Sequence, residues 1–200
     1  MLDNLLEILR FNWQTVLFVM ITLIWWAEFI ILPSKGGEDN PKKEGERRSF
    51  FLVGVGIGSS ILLAIILRMF GVLNLSAYSL TVIQQLAVVI YLFGIIVRYW
   101  SLILLGDYFT RDVEVEDQQD LVSRGPYKYL RHPSYLGLFS LTLGVILFIG
   151  NLIAIPMGVI ILIIALNYRI KIEEKMMLDM IGEEYKMWCK NRYRMFPLIY

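Results

Sequence analysis

Long apolar runs dominate this sequence and restrict what it can fold into. Five of them, at 13–32, 50–70, 79–105, 136–149 and 152–168, are separated by polar segments. Hydrophobic residues make up 57% of the chain, and the mean hydropathy is +0.60. A soluble domain carries more charge and shorter apolar runs, whereas a transmembrane helix needs about 20 mostly apolar residues. The sequence therefore predicts an all-α, polytopic integral membrane protein with about five transmembrane helices.

The last two apolar runs are short and meet at Gly150 and Asn151, which predicts a tight helical hairpin. The chain after Tyr168 is charged but keeps a helical pattern of apolar residues, so we expect a cytoplasmic carboxyl-terminal helical arm. We expect one domain over 1–200. Its first part, 1–105, would hold three spans, and its second part, 106–200, would hold a polar loop, the hairpin and the arm.

The positions of lysine and arginine predict the orientation in the membrane. Nearly all of them fall in three segments, 35–48, 98–131 and 169–194, and only Arg10 and Arg68 lie elsewhere. With five spans these segments share one side, which the positive-inside rule makes cytoplasmic. The amino terminus is then outside, and the carboxyl terminus and the active site are cytoplasmic.

Small residues in the second apolar run predict close helix packing. Gly54 and Gly58 are four residues apart and therefore lie on one helical face. Such a face lets transmembrane helices approach closely. We interpret these glycines as packing residues, since no strand–turn–helix context supports a dinucleotide site.

A chemically dense run at 119–137 lies between the third and fourth apolar runs. It contains His132, the only histidine, followed by Pro133, which suits a first helical position and predicts a helix start there. Free backbone N–H groups at such a start favour carboxylates. The run indicates a ligand site at the membrane surface. Taken alone, however, His132 is more simply a capping or packing residue, and no cluster of ligands suggests a metal.

A helical wheel of the arm places Glu173 in the middle of its apolar face, with Arg169 one turn before it and Glu174 toward the polar face. A lone buried carboxylate is costly, so Arg169 is its predicted partner. The pair can belong to a site or can be a structural ion pair at the membrane boundary. Likewise Tyr127 and Tyr135 fit either a site or an interfacial aromatic belt.

At these residues the sequence resembles a known family. The run 121–137, LVSRGPYKYLRHPSYLG, is similar to the signature of the isoprenylcysteine carboxyl methyltransferase family, whose relatives include phospholipid N-methyltransferases. A second block at 169–174, followed by 182–185 and 194–197, is similar to the family's second block in order and spacing. The resemblance covers about 106–197, and the first three spans match only in hydropathy.

The resemblance implies a membrane enzyme that binds S-adenosylmethionine between the polar loop and the arm. Arg169 would face the methyl acceptor. Where animal members of the family tend to have a histidine and another polar residue, this sequence has Gln119 and Asp120. These two residues would therefore contact the cofactor mainly through backbone atoms. The implied cofactor contacts are Gln119, Asp120, Leu121, Val122, Tyr127, His132, Pro133, Ser134, Tyr135 and Glu173.

The chemistry of methyl transfer suits these residues. A carboxylate acceptor is already a nucleophile and needs only a cation to hold it, which Arg169 offers as a bidentate fork. An amine acceptor such as phosphatidylethanolamine needs a base, for which Glu174 or Glu173 can serve. We therefore assign catalytic roles to Arg169 and Glu174. The expected partners are a lipophilic methyl acceptor that enters from the bilayer and membrane lipid, with neither nucleic acid nor metal.

Other functions stay open at this stage. The first expectation is O-methylation of a prenylated cysteine or a similar lipophilic carboxylate. The alternative is a phospholipid or small-amine N-methyltransferase. An NADPH-dependent membrane reductase shares part of the motif. A non-enzymatic transporter subunit would place charges at the midplane and often show repeats, which this sequence lacks.

Overall fold

A computed structural model describes residues 13–31, 42–106 and 121–197 of the chain, and these residues are almost entirely helical. Within those ranges there is no β-strand, and only two isolated bridges pair extended segments. A short 3-10 helix, Gly125–Lys128, lies between the third and fourth α-helices. The α-helices are α1 Trp13–Ile31, α2 Lys42–Met69, α3 Ala77–Leu105, α4 Pro133–Ile149, α5 Ala154–Ile181 and α6 Glu183–Cys189.

Among the described residues, three helices are long and apolar enough to cross a membrane. They contain the segments Arg48–Met69, Ala77–Leu105 and Ala154–Ile181, while Trp13–Leu23 and Pro133–Ile149 are shorter apolar helices. The all-α, integral membrane prediction is therefore confirmed, and the count of five spans stays a prediction. The predicted fifth span and the start of the predicted arm form one continuous helix, α5.

The helices α3 and α4 form the most extensive contact, and glycines make it possible. A Cβ atom on Gly94 would lie 2.7 Å from the backbone nitrogen of Leu141 and 2.8 Å from the carbonyl of Gly137. A Cβ atom on Gly144 would lie 2.8 Å from Tyr91 Cβ. Without side chains at these positions the two backbones approach each other directly.

The predicted packing role of Gly54 and Gly58 is wrong. A Cβ atom on either would meet no described residue within 4 Å. The contact with α5 is made instead by Gly56, where a Cβ would lie 2.7 Å from Ala165 Cβ. The glycine pair was assigned by spacing alone, and spacing defines a face of a helix without saying which face meets a neighbour.

The predicted turn at Gly150 and Asn151 lies between α4 and α5. Gly150 ends α4 in the left-handed conformation, with φ of 72°. Asn151 Oδ1 then accepts hydrogen bonds from the backbone nitrogens of Ile153 at 3.1 Å and Ala154 at 2.9 Å. Glycine and asparagine thus end one helix and begin the next.

Polar side chains tie this turn to the loop between α2 and α3. The fully buried Arg68 donates from Nη1 to the Gly150 carbonyl at 3.2 Å. Asn151 Nδ2 donates to the Val72 carbonyl at 2.6 Å, and Asn74 Nδ2 donates to the Arg68 carbonyl at 3.0 Å. These bonds lie at the end of the bundle opposite to His132.

Candidate active site

The polar loop is held against the end of α3. Gly125 adopts φ of +57°, and a Cβ atom there would lie 2.5 Å from Leu104 Cδ1. Tyr127 follows in the 3-10 helix with its side chain buried and shares a hydrogen bond with Ser134. Burial, with a contribution from the charge of Glu173, raises the pKa of the Tyr127 phenol above its ordinary range. Tyr127 therefore keeps its proton and can act as a hydrogen-bond donor.

The carboxyl-terminal segment pairs with the same loop through backbone hydrogen bonds. Arg131 N donates to the Tyr193 carbonyl at 2.8 Å, and Tyr193 N donates to the Tyr129 carbonyl at 2.9 Å. His132 N donates to the Arg194 carbonyl at 3.0 Å. Two segments more than 60 residues apart are thereby joined next to the start of α4.

The helix start at Pro133 is confirmed, but its predicted free N–H groups are mostly in use. His132 donates its backbone N–H to Arg194, and proline has none. The His132 carbonyl accepts from Tyr135 N at 3.2 Å and from Leu136 N at 3.3 Å. These bonds use several of the N–H groups at this helix start, and the anion site there stays a prediction.

Glu174 lies among two arginines and the imidazole of His132. Its Oε1 accepts from Arg131 Nη1 at 2.8 Å and lies 3.2 Å from His132 Nε2. Its Oε2 lies 2.8 Å from Arg194 Nη2. Both oxygens are thus engaged, and the surrounding charge favours the ionised carboxylate. Glu174 joins the loop, the start of α4 and the carboxyl-terminal segment to α5.

Glu173 faces the opposite side of the same histidine. His132 Nδ1 lies 3.9 Å from Glu173 Oε2, so the imidazole stands between two carboxylates. Glu173 Oε2 is buried and has no hydrogen-bond partner in the described part of the chain. A buried acceptor without a donor is costly and rare in folded proteins. The site therefore offers an acceptor to the donor group of a ligand.

Arg169 is buried one helical turn before Glu173, and only 4% of its surface is exposed. Its Nη1 donates to Ser49 Oγ at 2.7 Å, and its Nε donates to the Tyr135 hydroxyl at 3.1 Å. The Tyr135 hydroxyl also faces the Glu173 carboxylate. Tyr135 therefore connects the two residues that the wheel predicted to be partners.

The structure brings most of the predicted site residues together at one end of the bundle. Leu121 and Val122 are half-buried at the start of the described loop. Gln119 and Asp120 lie outside the described residues. The residues that meet are Tyr127, His132, Pro133, Ser134, Tyr135, Arg169, Glu173 and Glu174.

Sequence reasoning missed three residues of this group. Arg131 and Arg194 lie inside the two similar blocks, so their charge next to the predicted glutamates was a usable signal. Ser49 carried no such signal, because it lies 120 positions before Arg169 at the start of an apolar run.

Residues 85–179 match the model of the Isoprenylcysteine carboxyl methyltransferase (ICMT) family. The matched range contains the loop, all of α4 and most of α5, and with them His132, Arg169 and both glutamates. Just under half of the chain is therefore similar to the isoprenylcysteine carboxyl methyltransferase family. A methyltransferase family implies a methyl donor, and with its apolar helices the chain is an integral membrane protein.

The chain is also similar to named proteins, two of which are described next. A "Protein-S-isoprenylcysteine O-methyltransferase" of Tribolium castaneum is 30% identical over 105 residues, which are 52% of this chain and 37% of the relative. A protein of the same name from Schizosaccharomyces pombe is 31% identical over 108 residues, 53% of this chain and 46% of the relative. The similarity thus spans less than half the length of these relatives.

A solved structure extends the likeness to nearly the whole chain. It is described as the eukaryotic intramembrane Ras methyltransferase ICMT, and it covers 98% of this chain and 71% of its own. The TM-score is 0.64 at 20% sequence identity. At that identity the comparison shows a shared fold, including the amino-terminal helices that the family match leaves out.

Proposed function

We propose that this protein is an S-adenosylmethionine-dependent methyltransferase that O-methylates the carboxylate of a prenylated cysteine or a similar lipophilic carboxylate. The observation that carries the proposal is the buried guanidinium of Arg169 at the site end of an apolar helix. A permanent cation in that place suits an anionic group that arrives on a lipid tail. The relatives named above are O-methyltransferases of this kind.

The donor side of the proposed site is built around Glu173. Its buried Oε2 atom has no partner among the described residues, and a hydroxyl or amino group of S-adenosylmethionine would supply the missing donor. The bound cofactor would supply an electrophilic methyl group on sulfur. The residues proposed to hold it are Gln119, Asp120, Leu121, Val122, Tyr127, His132, Pro133, Ser134, Tyr135 and Glu173.

The acceptor side is proposed to depend on Arg169. A carboxylate is a nucleophile at neutral pH, so the protein needs to align it and not to deprotonate it. Arg169 is held by hydrogen bonds at two of its nitrogens, which orients the guanidinium toward a bound acid. Burial of the arginine excludes water and strengthens its attraction for that acid.

For Glu174 we propose a positioning role and not that of a base. Its oxygens contact the guanidinium groups of Arg131 and Arg194, and a carboxylate stabilised by two cations is a weak proton acceptor. Glu174 would act through His132, whose other ring nitrogen faces Glu173.

The second candidate is N-methylation of a phospholipid or small amine, and one observation favours it. Glu173 presents a buried oxygen that lacks a hydrogen-bond partner in the described residues, which is where a base for an ammonium headgroup would be needed. In that case Glu173 and not Glu174 would accept the proton.

The deciding experiment is a methyl-transfer assay on purified protein with a prenylcysteine analogue and phosphatidylethanolamine side by side. We expect the methyl group on the carboxylate. Methylation of phosphatidylethanolamine alone would establish the second candidate.

A binding titration with S-adenosylmethionine against NADPH separates these functions from a reductase or a transporter subunit. We expect binding of S-adenosylmethionine only. Tyr135→Ala and His132→Ala should weaken that binding in calorimetry, and unchanged affinity in both would remove the cofactor from this stretch.

A further inference from the structure

We propose that Ser49 is a positioning residue for the methyl acceptor, acting through Arg169. The inference rests on the proposed function, in which Arg169 binds the acceptor's carboxylate. Ser49 belongs to α2, outside the residues 85–179 that match the ICMT family. The site would then depend on a side chain from the amino-terminal half of the chain.

The contact between Ser49 and Arg169 is short and buried. Ser49 has no exposed surface, and its Oγ accepts from Arg169 Nη1 at 2.7 Å. That distance is typical of a hydrogen bond strengthened by charge. Such bonds are worth more in a region of low dielectric than in water.

A second bond fixes the plane of the guanidinium. Tyr135, from α4, accepts from Arg169 Nε at 3.1 Å. Because the two bonds leave different nitrogens of one rigid planar group, together they restrict its rotation. Bidentate binding of a carboxylate depends on that orientation, which is why arginine suits it and lysine does not.

The helix that carries Ser49 is held in place against α5. Buried residues follow one face of α2 at helical spacing, from Ser49 through Val53 and Gly56 to Ser60. The approach at Gly56 is close, because a Cβ there would lie 2.7 Å from Ala165 Cβ. Ser49 is therefore presented to Arg169 by a packed helix pair and not by a loop.

Packing alone does not require the hydroxyl of Ser49. Another buried serine on the same face, Ser60, uses its Oγ mainly within its own helix, donating to the Gly56 carbonyl at 2.7 Å. A small residue is sufficient for the helix contact at that position. Ser49 differs because its hydroxyl contacts a charged side chain of α5, whereas the contact of Ser60 Oγ with α5 is a longer one, 3.4 Å, to the backbone carbonyl of Gly158. Ser60 is thus the matched control.

The test measures binding of an acid and of its ester without any methyl donor. The ligands are N-acetyl-S-farnesylcysteine and its methyl ester, titrated into detergent-solubilised protein by calorimetry. In Ser49→Ala we expect the acid to bind roughly 10- to 100-fold more weakly, and the ester to change by less than about twofold. Ser49→Thr keeps the hydroxyl and should retain most of the affinity, and Ser60→Ala should match the parent for both ligands.

The possible results distinguish a failure of the proposed function from a failure of the proposed role of Ser49. If the parent protein binds acid and ester equally, the acceptor assignment has failed, and the role of Ser49 fails with it. If the parent prefers the acid and Ser49→Ala keeps that preference in full, only the inference is overturned. Equal losses for acid and ester in Ser49→Ala would show a purely structural role.

A folding failure of Ser49→Ala would not end the test. Ser49→Cys is close in shape and replaces the hydroxyl oxygen with sulfur, a weak acceptor. The same selective loss of acid binding is expected from it, and full retention would contradict the inference.

Discussion

Arg194 Nη2 lies 2.8 Å from Glu174 Oε2, so an ion pair ties the carboxyl-terminal segment to α5. The same carboxylate binds Arg131, which comes from the polar loop. A single glutamate thereby joins three segments that are distant in sequence.

Glu174→Gln should weaken the contacts of α5 with the polar loop and the carboxyl-terminal segment. The variant keeps the size of the side chain but removes the charge that pairs with Arg131 and Arg194. We expect a loss of about 2 kcal/mol in stability and a lowering of Tm by about 4–8 °C. Thermal unfolding in detergent measures the change in Tm. Glu183→Gln is the control, since its exposed pair with Lys186 should contribute little. Equal Tm values for the two variants would contradict the role of Glu174.

Arg169→Lys should impair turnover far more than cofactor binding. Lysine keeps the charge but loses the bidentate geometry and the bond from Nε to Tyr135. The expected cost is roughly 2–4 kcal/mol, or about 30- to 1000-fold in rate. Steady-state kinetics with calorimetry of S-adenosylmethionine binding tests this. A variant that turned over normally would remove Arg169 from the acceptor site.

Glu173→Gln should show the reverse profile, with cofactor affinity lowered first. The amide is neutral and presents one oxygen where the carboxylate presents two. We expect roughly tenfold weaker binding of S-adenosylmethionine. Calorimetry on Arg169→Lys and Glu173→Gln in parallel gives the comparison. If the arginine variant lost the cofactor while the glutamate variant kept it, the two roles would be exchanged.

Gly94→Ala should destabilise the bundle, whereas Gly54→Ala should not. The added methyl group on Gly94 would overlap the backbone of α4, and relieving that overlap costs about 1–3 kcal/mol. At Gly54 the methyl group would enter open space, and alanine favours a helix over glycine. Chemical or thermal unfolding of both variants measures the difference. Similar stabilities would argue against direct backbone contact between α3 and α4.

Labelling of introduced cysteines should confirm the predicted topology. In a Cys189→Ser background, cysteines at positions 43 and 186 should react with an impermeant reagent from the cytoplasmic side. A cysteine in place of the exposed Tyr78, at the far end of the bundle, should react from the other side. Labelling of 43 and 186 from opposite sides would contradict the arrangement of five spans.

Much of the helical architecture could be predicted from local signals. The apolar runs located the helices, Pro133 marked the start of α4, and Gly150 with Asn151 marked the turn that follows. The two similar blocks also led to His132 and Glu173, which the structure places side by side. These features depend on residues near one another in sequence, so the chain alone contains the information.

Contacts across the bundle could not be predicted in the same way. Ser49 reaches Arg169 over 120 positions, and no local pattern distinguishes its hydroxyl from that of Ser60. The packing face of α2 depends on which neighbour it meets, so spacing favoured Gly54 while the contact formed at Gly56. The pairing of the loop with the carboxyl-terminal segment likewise depends on tertiary position.

The buried hydrogen bonds of Arg68 and Asn151 place a polar junction at the end of the bundle opposite to His132. At that end they fasten the α2–α3 loop to the turn between α4 and α5. Separation of the helices there would leave a buried cation and buried amides unsatisfied, which is costly. The α2–α3 loop and the turn between α4 and α5 therefore resist separation.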